Sequence, residues 1–205
     1  AGLVVERVTG APIDAYLDSA VFARLGMRDT RYRPPAEWVD RIAPTEVDPW
    51  RGRHLRGEVH DENASRLDGV SAHAGLFSSA ADLARFAQMM LNGGELGGAR
   101  IVLPRTIAEF TRVQDPRLSH RALGWETPNG SNSAGTMMKA PAFGHTGFTG
   151  TSLWIDPAND LFVVILTNRV NPSRSGTGIG TVRTRVADIS TAAAAGARSA
   201  ARGTP

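Results

Sequence analysis

An α+β fold built on an antiparallel sheet is what this sequence predicts, and three observations predict it. First, residues 150–155 and 161–167 are short apolar, β-branched or aromatic runs on either side of Asp156-Pro-Ala-Asn-Asp160, which is turn chemistry. Second, apolar residues recur at helical spacing in several separate windows, each ended by glycine or opened by proline. Third, 205 residues with 41% hydrophobic and 21% charged content have the balance of a globular chain that buries a core.

In chain order, Gly2 to Gly10 reads as a helix with Gly10 as its stop, and Pro12 opens the next one. There Ile13, Tyr16, Leu17, Ala20 and Val21 repeat at helical spacing, up to Leu25-Gly26. Residues 30–58 are rich in Pro and Arg without periodicity and read as a long irregular excursion. Ser79-Ala-Ala-Asp82 has capping-box spacing, with Asp in the usual Glu or Gln position. It leads a helix carrying Leu83, Phe86, Met90 and Leu91, which Asn92-Gly93-Gly94 ends. Pro104 begins a short helix with Ile107 and Phe110. Strands are expected from about 122–127, 143–155 and 160–168; the last is expected to be buried on both faces, and 150–155 with 161–167 reads as an antiparallel hairpin at the centre of the sheet. Ile179, Val182, Val186 and Ile189 then line one face of a final helix, which gives way near Gly196 to a frayed tail over 191–205. That helix is expected on one face of the sheet, with those at 12–25 and 79–92 on the other. The whole reads as a single partial domain over residues 1–205.

Several function classes are excluded or disfavoured by composition. There is no cysteine, hence no thiolate metal site and no Cys nucleophile. The formal charge is +3 and the pI about 10.1, because 22 of the 23 basic residues are arginine and only Lys139 is lysine. The charges are scattered without like-sign runs, so no nucleic-acid partner is expected. No segment approaches the ~20 apolar residues of a membrane helix. Gly176-Thr-Gly-Ile-Gly180 imitates a dinucleotide loop, but its third glycine comes one residue early and no acidic ribose ligand follows. No cofactor is expected. His60-Asp61-Glu62 looks like a metal cluster, yet neighbours on an extended segment point to opposite faces, so no metal is expected there. The chain begins at Ala1 inside a helix-like run, without a basic-then-apolar leader, so a piece of a longer protein is expected.

The remaining chemistry sits in Gly144-His-Thr-Gly-Phe-Thr-Gly150. Its three glycines leave the backbone approachable, and His145 beside the Thr146 hydroxyl offers donors to an anionic group. Side chains alternate along a strand, so His145 and Gly147 share one face and Thr146 takes the other. The expectation is that Thr146 aims along the strand edge with His145 nearer solvent, at the wall of an open cleft.

An ordered set of segments gives this motif a context. Gly2-Leu-Val-Val-Glu-Arg-Val-Thr-Gly10 is followed by Leu25-Gly-Met-Arg-Asp-Thr30, Val59-His-Asp-Glu-Asn-Ala64 and His73-Ala-Gly-Leu-Phe-Ser78. Ala81-Asp-Leu-Ala-Arg-Phe86, Leu91-Asn-Gly-Gly94, Gly144-His-Thr-Gly147 and Leu166-Thr-Asn-Arg-Val170 complete it. Together, over residues 2 to about 190, they resemble the serine β-lactamase and penicillin-binding-protein superfamily. The resemblance is to its class C-related branch of D-alanyl-D-alanine carboxypeptidases and family VIII esterases, and 59–64 and 73–78 resemble the penicillin-binding-protein-4B type.

The resemblance implies a β-lactamase-like sheet flanked by helices and a serine acyl-transfer activity on a D-alanyl peptide, β-lactam or ester. It implies a small-molecule or peptidoglycan-type substrate and a bacterial periplasmic or envelope location; it leaves the oligomeric state open. Such enzymes use Ser-x-x-Lys, Tyr-x-Asn or Ser-x-Asn, and a Lys/His-Thr/Ser-Gly strand. Only the third is in this chain: the residue three before Lys139 is Thr136, and Tyr16 and Tyr32 are followed by Leu-Asp and Arg-Pro. The chain therefore resembles the C-terminal part of such an enzyme, truncated at its N-terminus and inactive alone. The alternative is a non-catalytic remnant or binding module of the same fold. By carry-over, His145 and Thr146 bind the substrate carboxylate or polarise the acyl group's neighbourhood beside Gly147, and the backbone N–H of Phe148 is one of two oxyanion donors, the other belonging to the absent serine. His60, Asp61 and His73 belong to a substrate-side wall over 59–75, with His73 expected as a buried, hydrogen-bonded histidine at a helix entry.

Overall fold

The structure, a computed structural model, describes residues 1–202. It is an α+β chain that divides into two compact units: residues 1–86 with 168–176, and residues 87–167 with 177–205.

The first unit opens with α1 (Gly2–Thr9), which Gly10 ends in the left-handed conformation at φ 71°, its N–H donating to Glu6 O. A second helical stretch, α2, begins as Ile13–Leu17, passes through a π-turn at Asp18–Phe22 and finishes as Ala23–Leu25. It buries Ile13, Phe22 and Leu25. The excursion that follows is pinned by two small antiparallel ladders. One joins β1 (Arg31–Tyr32) to β4 (Leu76–Phe77), and the other joins β2 (Val47–Asp48) to β3 (Arg53–His54). Leu55 and Val59 are buried beneath it, next in sequence to a one-and-a-half-turn helix, α3 (Glu62–Arg66).

The helix α4 (Ala80–Leu91) starts where Ser79 caps it, Ser79 Oγ accepting from Asp82 N at 3.2 Å. The second half of the expected capping box does not form. Asp82 is buried and turns instead to Asp29 N (2.7 Å) and Thr30 Oγ1 (2.8 Å). Two long-range donors outcompete one local backbone N–H for its carboxylate.

The second unit holds the short hairpin β5 (Glu95–Leu96) and β6 (Ala99–Arg100), then α5 (Pro104–Thr111) with Pro at its first position. Its main sheet is a three-stranded antiparallel meander, β7 (Phe143–Thr146), β8 (Ser152–Asp156) and β9 (Leu161–Ile165), in that order. Three sequence expectations change here. Residues 122–127 form no strand. Gly124 takes φ 80°, the chain turns back so that Arg121 bridges Glu126, and only Glu126 reaches β7, by paired backbone bonds with Gly144. The 143–155 segment is not one strand but two, folded about a turn at 147–151. And while β8 and β9 pair as the expected antiparallel hairpin, β9 lies at one side of the central β8 and is not buried on both faces, Val163 alone of that strand being buried.

The C-terminal helix α6 (Ile179–Arg202) packs against β9, closing a core of Ala134, Met138, Ala142, Trp154, Val163 and Ala187. It continues through Gly196 to Arg202, where the sequence reading ends it in a tail; residues 203–205 lie outside the described residues. Of its expected stripe, Val186 packs half-buried against that core, but the fully buried positions are displaced. Arg183, Ala187 and Thr191, four residues apart, face inward, whereas Val182 and Ile189 are 47% and 69% exposed. Small residues let the helix approach the sheet, and Arg183 finds polar partners there.

Candidate active site

The residues singled out from the sequence fall in both units: His145, Thr146, Gly147 and Phe148 in the second, and His60, Asp61 and His73 in the first.

Strand β7 pairs in register with β8, Gly144 opposite Trp154, His145 opposite Leu153 and Thr146 opposite Ser152. Gly144 is needed for that pairing, because a Cβ there would lie 2.4 Å from both Leu153 O and the Trp154 ring. Trp154 is fully buried, and its Nε1 donates to Ser133 Oγ at 3.0 Å. Gly147 is likewise crowded, since a Cβ would meet Thr151 Oγ1 at 2.1 Å. Two of the glycines that look open in the sequence are thus filled by the protein's own side chains.

His145 is exposed and Thr146 half-buried, as alternation requires. Both ring nitrogens of His145 are engaged. A guanidinium can only donate, so Nε2 accepts from Arg121 Nη1 (3.3 Å), and Nδ1 carries the proton and donates to Thr146 O (2.7 Å). Arg121 is held by Glu126, its Nη2 2.7 Å from Oε1. The Thr146 hydroxyl, by contrast, makes no hydrogen bond among the described residues. The turn after β7 is tightly bonded: Gly147 N donates to Thr151 O (2.7 Å), Gly150 N to Gly147 O (3.1 Å) and Thr167 Oγ1 to Gly150 O (2.7 Å). Phe148, whose N–H the resemblance makes an oxyanion donor, sits in this turn with its side chain 58% exposed.

In the first unit, His60 and Asp61 diverge as neighbours on an extended segment must. His60 is buried, its Nε2 2.8 Å from Glu46 Oε2. Glu46, itself buried, is gripped by Arg174, whose Nη2 donates to Oε2 at 2.6 Å and whose Nε reaches both oxygens. The Arg174 guanidinium, helped by His60 and opposed by burial, holds the Glu46 carboxyl down at about 2. Arg174 also donates to Glu62 (2.9 Å). Asp61 caps α3, its Oδ1 accepting from Ala64 N at 2.8 Å and lying 3.0 Å from His73 Nε2. Burial raises the Asp61 carboxyl, but the Ala64 N–H and His73 outweigh that and leave it below its ordinary value. His73 is not the buried histidine expected at a helix entry. Its side chain is 53% exposed, held between Asp61 and Ser71 Oγ (2.7 Å), because the 70–75 loop stays at the surface. Among the described residues no cluster of His, Asp or Glu is arranged to hold a metal.

Four participants escaped the sequence reading: Arg121, Arg183, Glu46 and Arg174. In a chain with 22 arginines no single one stands out. Only for Arg183 is there a signal, a charge beside the helix stripe whose small residues, Ala187 and Thr191, prove to be buried.

The comparisons with known proteins bear on the family and the fold. The family model described as Beta-lactamase matches residues 1–187. A protein of Salmonella gallinarum named "Putative D-alanyl-D-alanine carboxypeptidase" is 37% identical over 186 residues, covering 82% of this chain and 43% of that protein. Its namesake from Salmonella schwarzengrund is 38% identical with the same coverage. The chain thus spans less than half the length of the curated relatives it matches. Among solved structures, a β-lactamase from Mycobacterium bovis superposes with TM-score 0.65 at 24% identity, over 94% of this chain and 60% of that one. A simvastatin synthase from Aspergillus terreus gives 0.68 at 20%, over 97% and 54%. A penicillin-binding-protein homologue from Caulobacter crescentus gives 0.63 at 20%, over 93% and 55%. At those identities the likeness is one of fold, while the family match extends along nearly the whole chain: this chain belongs to the β-lactamase and penicillin-binding-protein superfamily.

Proposed function

We propose that this chain is the C-terminal part of a serine acyl-transfer enzyme acting on a D-alanyl peptide, a β-lactam or an ester. The observation that carries the reading is β7, where a Thr146 hydroxyl with no partner among the described residues stands at the end of a strand backed by the buried Trp154 and closed by a hydrogen-bonded turn. Rigid donors of this kind stabilise charge that develops on an acyl oxygen, because they need no reorganisation when it forms. In this reading Thr146 donates to the substrate's carboxylate or acyl neighbourhood, and Phe148 N–H faces the oxyanion. One such donor is worth roughly 3–4 kcal/mol to the transition state. His145, with both nitrogens committed, orients the strand rather than accepting a proton. The attacking serine and its lysine come from outside these 205 residues, since no Ser-x-x-Lys is present. The names of the Salmonella relatives favour a peptidoglycan-type peptide and an envelope location. Among the described residues no helix is long and apolar enough to cross a membrane.

The test is covalent labelling. The 205-residue chain takes up neither a fluorescent penicillin nor a fluorophosphonate, whereas the product of the complete gene is labelled at a serine outside it. In that product Thr146→Val removes a hydroxyl, keeps the shape and lowers the acylation rate. Stoichiometric labelling at a serine of this chain, or unchanged acylation by Thr146→Val, overturns the reading. The missing Ser-x-x-Lys also favours a second reading, a non-catalytic binding module of the same fold. A complete gene product that takes no label decides for it.

A further inference from the structure

We infer that Arg183 is the positioning residue of the turn that follows β7, holding Phe148 N–H in its oxyanion-facing place; this rests on the acyl-transfer reading above. Arg183 lies on α6, 8% exposed, and its Nη2 donates to Gly147 O at 2.8 Å and to Thr151 O at 2.7 Å. Those two carbonyls are the two ends of the turn. Each also accepts a backbone bond, Thr151 O from Gly147 N and Gly147 O from Gly150 N. One guanidinium nitrogen therefore bridges a loop that the backbone alone already closes.

The choice of residue is informative. Closing a five-residue turn needs no charge, and the backbone bonds already close this one, so the guanidinium adds fixed, charge-assisted donors to both of its ends. Its neighbours on the inward stripe, Ala187 and Thr191, are small and uncharged. A fixed positive charge behind the turn does two things that a neutral donor does less well. Charge-assisted bonds hold the Gly147 and Thr151 peptides in one orientation, which sets the direction of the peptide between Gly147 and Phe148. The charge also makes the turn a more favourable place for developing negative charge. Arg183 touches no reacting atom in this account; it acts through the turn.

The test uses Arg183→Met, which keeps the apolar stem and removes the donors. Both carbonyls keep their backbone bonds, so the meander stays folded. In the 205-residue chain, hydrogen exchange of a peptide covering 146–151 rises about tenfold, while one covering β9 stays within about threefold. In the product of the complete gene, the acylation rate constant falls about ten- to a hundredfold with half-saturation unchanged. Millimolar guanidinium restores part of that rate to Arg183→Ala, whose cavity admits the ion. Unchanged exchange at 146–151 overturns the role of Arg183 whatever the enzyme does, and so does a uniform rise across the sheet, which marks a merely structural residue. Faster exchange confined to the turn, with no labelling of the unmutated gene product, overturns the acyl-transfer reading alone.

Discussion

Gly147 and Thr151 face each other across the turn after β7 so closely that a Cβ on Gly147 would lie 2.1 Å from Thr151 Oγ1. The same pair is joined by a 2.7 Å backbone bond from Gly147 N to Thr151 O. Gly147→Ala must therefore push the Thr151 side chain off its rotamer or open the turn, at a cost of about 1–3 kcal/mol. The clash is with a hydroxyl that a second change can remove, since Thr151 Cβ itself is 3.5 Å away. Gly147→Ala/Thr151→Ala should recover about 1 kcal/mol relative to the sum of the single variants. Urea midpoints of the four proteins check this, and strict additivity would show that the two positions do not meet.

Asp82 joins α4 to the segment at 29–30 through a half-buried bond to Asp29 N and a buried one to Thr30 Oγ1, and Thr30 Oγ1 lies 2.7 Å from Ser78 Oγ. Asp82→Ala leaves the buried Thr30 hydroxyl and the half-buried Asp29 N–H without their acceptor and should destabilise by about 2–3 kcal/mol. Asp82→Asn, which keeps one acceptor oxygen, should cost less. Thermal melts that rank the two variants equally would place the loss elsewhere.

Acid should loosen the first unit through Glu46. Its carboxyl ordinarily titrates near 4.5 and is held at about 2, chiefly by Arg174. The folded state thus binds a proton less readily than the unfolded state. The stabilisation is complete above about 4.5 and drains away as pH falls towards 2. Glu46→Gln cannot titrate, so the stability difference between wild type and this variant should shrink over that window. Arg174→Met removes the leading cause and should shift the acid transition of the otherwise native chain to higher pH. Parallel pH profiles for wild type and Glu46→Gln would contradict the assignment.

The helix α1 buries none of its residues, and Leu3, Val4 and Val8 are 82%, 64% and 79% exposed. The isolated chain should therefore bind a hydrophobic dye in its native state. Leu3→Gln/Val4→Thr/Val8→Thr should reduce the dye signal and shift stability by no more than about 0.5 kcal/mol per site. A large loss of stability would mean that these side chains pack in solution.

How much of this was legible in the sequence follows from the range of each signal. The stops at Gly10 and Gly26, the Ser79 cap, Pro104 at a helix start and the β8–β9 turn were all written locally. Each depends on φ, a missing N–H or a side chain three residues away, so no distant partner can change it. The Gly144-His-Thr-Gly147 motif and the order of segments around it carried the family for the same reason, since they survive as strings.

The rest depended on what lies across the chain. The 122–127 run has strand composition, yet Gly124 turned it, so that only Glu126 pairs its backbone with β7 while Trp125 meets Phe143 edge-on. Asp82 had the spacing of a capping residue but was claimed by Asp29 and Thr30, more than fifty positions away. On α6 the apolar pattern pointed to Val182 and Ile189, while the tertiary structure buried Arg183, Ala187 and Thr191. Periodicity reports how many residues a helix can bury, not which stripe the opposing surface accepts. Here the turn at 147–151 offered carbonyls to a guanidinium and the sheet left room for small side chains. The sequence alone determined the family and those helix starts, stops and turns that a local signal marks. Only the tertiary structure decided which polar groups meet, because a hydrogen bond between distant residues is chosen by geometry that no local window contains.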